Sequence, residues 1–267
     1  MKISGNLSTL IGAFILLSFS LQASAGGRSP CAPVNGVINV STSGVCTSLR
    51  EALTAANSAA IIFIAPGTYD LAGRYFPYSV SIIGAGSGLT KIRTLDGLAA
   101  QSFCSCSGVD GKISGVTISA LNPGALYHYG LELGGYGAQN FEVSDVVIEN
   151  FDIGIRILNQ FEVYGPIKIK IVNSEIKGNN TGLYYANLNY GVAGDDVAIS
   201  HTKLIGNVVN DINIDNQTIN NFTGQQFPIT VALNFNTFDT ITAGGASPVT
   251  VVGQYNLTSN SQPKLLP

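Results

Sequence analysis

The chain has 267 residues, of which 31 are glycine and only 11% are charged, with no tryptophan, a formal net charge of -3 and a pI near 5.3. Without a basic face or tail to release phosphate counterions, it is poorly suited to nucleic acid or to an anionic membrane surface. A composition rich in Val, Ile, Asn, Ser and Thr excludes a helical bundle and points to a β-solenoid.

Lys2 supplies a positive start, Leu10 to Leu21 form an apolar run, and Ala23-Ser24-Ala25 ends it in a small-residue cleavage pattern. A signal peptide over residues 1–25 is therefore expected, with a secreted mature protein, periplasmic or extracellular. No later stretch supplies the roughly 18 apolar residues of a membrane helix. Residues 26–60 read as an N-terminal cap, 61–247 as the repeat domain and 248–267 as an irregular closing segment whose Leu265 and Leu266 can plug the core. In an exported chain Cys31, Cys46, Cys104 and Cys106 read as disulfides with three pairings open. Cys31 with Cys46, closing a short loop, is the preferred first bridge; Cys104 and Cys106, two apart, read as a loop staple or, alternatively, a redox or metal pair.

From Cys46 to Ala56 a short capping helix is expected. Thr47 or Ser48 serves as N-cap, Glu51 completes a capping box with Ser48, and Leu49, Ala52, Leu53 and Ala56 form its apolar stripe. The passage Cys46-Thr47-Ser48-Leu49-Arg50-Glu51-Ala52-Leu53, followed by Ile61 to Asp70 (IIFIAPGTYD), resembles the start of bacterial secreted β-helix proteins with a Cys-Ser-Leu-Arg-Glu-Ala motif, with Thr47 inserted. Val80 to Arg93 (VSIIGAGSGLTKIR) looks like the early coils of the wider pectin-lyase-like superfamily. The resemblance covers roughly residues 46 to 95 and implies fold more than function, because the superfamily holds lyases, hydrolases, epimerases, adhesins and proteins without assigned activity.

Beyond this segment the sequence repeats about every 28 residues. Ile118, Ile148, Ile176, Leu204 and Leu233 form one apolar register, and Asn122, Asn150, Asn179, Asn207 and Asn236 a second, read as a single asparagine ladder at tight corners. Gly130-Leu131-Glu132-Leu133, Gly154-Ile155-Arg156-Ile157, Gly182-Leu183-Tyr184-Tyr185 and Asp211-Ile212-Asn213-Ile214 alternate inward and outward positions. The expected fold is an all-β, single-stranded right-handed parallel β-helix.

Stacking these segments puts Glu132, Arg156, Tyr184 and Asn213 in one outward column, where Arg156 is a candidate base beside Glu132. A second column holds Gly115, Asp145, Asn173 and His201, flanked by Thr117, Val147, Glu175 and Lys203; Asp145 and His201 are candidate acid, base or metal ligand, set against turn residues and a Glu175 to Lys203 pair. Gly194-Asp195-Asp196-Val197-Ala198-Ile199 is similar to the paired-carboxylate stretch of polygalacturonases, so Asp195 and Asp196 are candidates for acid and base. That family's other motifs are missing: Asn180-Thr181-Gly182 lacks its Asp, and no Gly-His-Gly or Arg-Ile-Lys follows. Resemblance to pectate lyases implies outward carboxylates holding calcium, the one cofactor under consideration. Tyr127, Tyr129, Tyr136 and Tyr184 are candidate glycan-stacking residues. The sparse charge and incomplete motifs favour a secreted β-helix that binds glycan or another surface partner without classical catalysis. A polysaccharide lyase, hydrolase or epimerase acting on a pectin-like or uronic polymer is the alternative, and a structural protein associating end to end the second.

Overall fold

A computed structural model of the chain describes residues 29–56, 60–71, 80–95, 97–102, 109–123, 128–135, 139–159, 167–187, 196–217, 228–264 and 266. The expected signal peptide, Cys104, Cys106, Tyr127, Tyr136, Asp195 and Leu265 lie outside the described residues.

The alternation seen in the sequence becomes strand structure directly. In Ile167–Val172 the residues Ile167, Ile169 and Ile171 are buried while Lys168 and Lys170 are exposed, because successive side chains leave a strand on opposite sides. Every such strand pairs in parallel with the equivalent strand one coil away. Two sheets result, one of 14 strands and one of six, wound as a right-handed parallel β-helix of about 28 residues per turn.

The larger sheet bends at a corner and supplies two faces. Ile61–Ile64, Ser81–Gly84, Ile167–Val172, Asp196–Ser200, Ile229–Asn234 and Val249–Gln254 belong to the first face; Gly67–Leu71, Thr90–Thr94, Glu175–Lys177, Lys203–Ile205 and Thr237–Phe238 belong to the second. The long strands Val109–Ala120 and Gln139–Glu149 run through both. The six-stranded sheet is the third face, with Leu98–Ser102, Tyr129–Gly135, Ile153–Asn159, Thr181–Asn187, Asn210–Asn216 and Ile241–Gly245.

Inward residues stack from coil to coil into one core. Ile113, Val143, Ile171, Ile199 and Leu233 form a column under the first face, and Leu131, Ile155, Leu183 and Ile212 one under the third, all fully buried. Each such side chain contributes about 1.5–3 kcal/mol by leaving water, and a single coil has no second layer to bury it against. Gly130, Gly154 and Gly182 occupy a position where adjacent coils approach closely: a Cβ there would lie 2.6 Å from the carbonyl oxygen of Gly154, Gly182 and Asp211 respectively.

The corners hold the main corrections to the sequence reading. Ile118, Ile148, Ile176 and Leu204 are in register, but the final coil contributes Phe238 there, and Leu233 pairs with Ile199 on the first face. The five asparagines do not form one ladder. Asn150 takes the left-handed turn with Gly178 and Gly206. Asn179 and Asn207 stack one residue later, the Asn179 amide donating to Asn207 Oδ1 at 3.2 Å. Asn236 stands at the other corner, where it accepts from the Thr202 N–H and its own N–H donates to Asn256 Oδ1; Asn122 is exposed. A third, unexpected column, Asn159, Asn187 and Asn216, is buried at the ends of the third-face strands.

At the N-terminal end the helix Leu49–Ala55 covers the core with Leu49, Ala52 and Leu53, and the Ser48 hydroxyl accepts from the Glu51 N–H as its N-cap. Cys31 and Cys46 are bonded, closing a loop of sequence separation 15. At the far end Leu266 packs against the core. Among the described residues no helix is long and apolar enough to cross a membrane.

Candidate functional site

Charged side chains occur on all three outward faces, and the arrangements differ from face to face. On the first face, parallel register aligns Asp110, Asn140, Lys168 and Asp196 in one column and Lys112, Glu142 and Lys170 in its neighbour. Ser81, Asp110, Lys112, Asn140, Glu142 and Lys170 line an open groove of about 680 Å³. Glu142 receives Lys112 at 2.9 Å and lies 3.9 Å from Lys170. The Lys112 hydrogen bond, with smaller contributions from the charges of both lysines, holds the Glu142 carboxyl below its ordinary pKa. It is thus an ionised acceptor rather than a proton donor at neutral pH. Asp196, the described half of the Asp195–Asp196 candidate pair, is exposed beside Lys168.

The column of Gly115, Asp145, Asn173 and His201 exists as the spacing implies, and all four have left-handed backbone. They form the turn from the first face to the second. Asp145 is engaged locally, accepting from the Ser87 hydroxyl at 2.7 Å and from its N–H. His201 is two coils away from Asp145, roughly 10 Å at the strand spacing, and its ring stacks on Phe235. The column therefore does not bring Asp145 and His201 together as an acid–base pair. Glu175 and Lys203 are register partners, but the Glu175 carboxylate pairs instead with Lys177 at 3.4 Å, a neighbour two residues along the same strand.

The third face carries the more unusual arrangement. Glu132, Arg156, Tyr184 and Asn213 align in one outward column, continued by Thr242. The Glu132 side chain is only 5% exposed and that of Arg156 23%, with Arg156 Nη1 donating to Glu132 Oε2 at 3.1 Å. The guanidinium lies 4.3 Å over the centre of the Tyr129 ring, so one face of that ring is already occupied. Its remaining N–H groups have no further acceptor among the described residues. Tyr184 is half-buried. Burial pushes its phenol pKa up, and the charge of Asp215 and a hydrogen bond to it add to the shift against the opposing charge of Arg156. The phenol is protonated at neutral pH and faces a carboxylate. Asp215 was absent from the sequence-based candidates, although its position two residues after Asn213 on the same strand marks it as outward.

Ion-pairing cation, protonated phenol and carboxylate thus share one surface. Such a group can hold an anionic or hydroxyl-rich ligand and move a proton next to it. Among the described residues no cluster of three His, Cys, Asp or Glu side chains forms a metal-binding set.

No family model matches the chain, and no curated protein matches it in sequence. Among solved structures it is similar to the catalytic domain of a GH87 alpha-1,3-glucanase in complex with tetrasaccharides, at TM-score 0.54 and 15% identity over 89% of this chain and 41% of that one. The chain therefore spans well under half the length of that glucanase. It is also similar to the pectin methylesterase PemA of Erwinia chrysanthemi, at TM-score 0.45 and 12% identity over 85% and 92% of the two chains. A third likeness is to the A-module of an Azotobacter vinelandii mannuronan C-5 epimerase, at TM-score 0.28 and 15% identity over 78% and 73%. These likenesses agree with the strand topology in giving a parallel β-helix.

Proposed function

We propose that this protein is exported and acts on a uronic polysaccharide at the outward surface of its third face. The observation that carries the reading is the desolvated Glu132–Arg156 pair beside Tyr129, Tyr184 and Asp215. A solenoid does not need such a pair for stability. Removing two charges from water costs several kcal/mol per ion, and apolar replacements of similar volume are often as stable or more so. Retention of the pair on a ligand-accessible surface favours a binding role for Arg156, whose planar donors suit a carboxylate.

In this reading Arg156 receives the uronate carboxylate while Glu132 and Tyr129 hold the guanidinium in place. Asp215 takes the proton α to that carboxylate, the C4–O bond breaks as the C4=C5 double bond forms, and the Tyr184 phenol protonates the departing oxygen. The proton passes back from Asp215 to Tyr184 through their hydrogen bond. The likeness of the fold to a GH87 alpha-1,3-glucanase catalytic domain supports a polysaccharide-directed function. This shifts the weight from the non-catalytic reading of the sequence towards its enzymatic alternative. Glycan binding without turnover is the second reading, favoured by the uncharged Asn213 and Thr242 that continue the column.

The test is incubation of the protein with polygalacturonate, alginate and neutral glucans, with and without calcium, following ultraviolet absorbance of unsaturated uronides and release of reducing ends. The expected result is absorbance growth on a uronic polymer, reduced at least about 100-fold by Tyr184→Phe or Asp215→Asn, the scale of a lost proton-transfer group. Binding without product, weakened by Arg156→Lys, would establish the second reading. Neither binding nor product on any uronic polymer would refute both.

A further inference from the structure

His201, Phe235 and Tyr255 occupy one position in three successive coils, the left-handed residue that ends the first-face strand, with φ of 52°, 57° and 60°. Their rings form a continuous stack. His201 and Phe235 are 4.9 Å apart at an interplanar angle of 11°, and Phe235 and Tyr255 are 4.9 Å apart at 15°. The left-handed backbone suits Gly, Asn and Asp, and the earlier coils have Gly115, Asp145 and Asn173 there. In the last coils it carries bulky rings instead, and these are exposed, Phe235 by 48% and Tyr255 by 66%. A corner whose only task was to turn the chain would keep the small residues.

The surface beside the stack differs from the rest of the first face. In the earlier coils the outward columns carry Asp110, Lys112, Glu142, Lys168 and Lys170. In the final two strands these two columns become Thr230 and Thr250, and Ala232 and Val252, while the neighbouring column, Ser114, Ser144, Val172 and Ser200 in the earlier coils, becomes Asn234 and Gln254. The strip is uncharged, with small or apolar side chains in the middle and amides next to the rings. The exposed Tyr255 ends the stack, with Phe235 against one face of its ring.

We infer that this corner is a second carbohydrate-binding site, selective for a neutral polysaccharide. A pyranose ring lays its C–H face on Tyr255, where aromatic and aliphatic groups make dispersion contact, while its hydroxyls meet Asn234 and Gln254. The absence of fixed charge in this strip favours neutral sugar over uronate. The inference is independent of the third-face reading, because the two sites share no residue.

The test uses affinity electrophoresis of the full chain in gels containing dextran, laminarin, galactan or mannan, with thermal unfolding measured alongside. Tyr255→Asn and Phe235→Asn install the residue that the corner holds at Asn173, so the backbone is relieved rather than strained. The expected result is retardation of the unmodified protein by at least one neutral polymer, weakened about three- to tenfold by either variant, the scale of a lost aromatic contact, with unchanged or higher thermal stability. Arg156→Lys is expected to leave this retardation intact, which separates the two sites. No retardation on any neutral polymer would overturn the inference. So would variants that lower stability without changing retardation, which would make the stack a structural clasp, or variants that abolish concentration-dependent self-association and nothing else, which would make it a contact between copies.

Discussion

The first and third faces each pair a glutamate with a cation, lysine on the first and arginine on the third, to different ends. Lys112 and Glu142 meet on the first face with side chains 40% and 36% exposed, whereas Glu132 on the third face is 5% exposed and Arg156 23%. The geometry of the contacts is similar, at 2.9 Å and 3.1 Å. The surroundings decide their meaning. Water screens the first pair, which contributes about 0–1 kcal/mol. The second gives up hydration and is held by an aromatic ring beneath the cation, so its loss exposes the cost of an isolated charge. What separates a solvated surface from a candidate site is how far water has been removed from the ions.

The strongest way to break this contrast is Arg156→Met. It strands Glu132 without its cation and is expected to lower unfolding free energy by about 3–5 kcal/mol, read from urea denaturation. A loss under about 1 kcal/mol would place the pair in the same class as an exposed ion pair.

A titration of Tyr184 sharpens the contrast at alkaline pH. Its raised folded-state pKa means that the stability it contributes is fully present below the ordinary tyrosine value near 10 and is lost as pH rises through the folded value. Tyr184→Phe should flatten the alkaline fall in stability, seen as a smaller pH slope of the melting temperature; an unchanged slope counts against the buried phenol.

The smallest effect belongs to the first face. Lys112→Ala should cost about 0–1 kcal/mol and fade with salt. Because the Glu142 pKa is lowered, its contribution is present above the ordinary carboxyl value of 4.5 and is lost as pH falls through the folded value. The variant should therefore differ from the parent less in acid than at neutral pH, measured by denaturation at both.

Strand register on the third face was readable from the sequence because Gly130, Gly154 and Gly182 repeat where coils touch, and because Leu131, Ile155, Leu183 and Ile212 can point only inward. Corner assignment was less so. Ile171 and Ile199 are 28 positions apart, but Ile199 and its partner Leu233 are 34 apart, so a constant period carries the last coil onto the wrong residues. This is how Asn236, at one corner, came to be aligned with Asn207, at another. The same spacing also contained the true column Asn159, Asn187 and Asn216, at intervals of 28 and 29, masked by more conspicuous asparagines. Arg156 and Tyr184 could be placed outward by alternation, but the burial of Glu132 could not, since an outward position in a strand carries no information about what packs around it. Nor did the period identify the stack of His201, Phe235 and Tyr255, because the last two follow the lengthened connection.

The most direct test of the third-face account is uronide formation by the double variant Glu132→Leu and Arg156→Met, compared with the unmodified protein on polygalacturonate and alginate. Removing both charges together avoids a stranded ion, so the account predicts a melting temperature equal to or above that of the parent and loss of product formation. A double variant that retains full activity, or one that unfolds while the parent is stable, would contradict it.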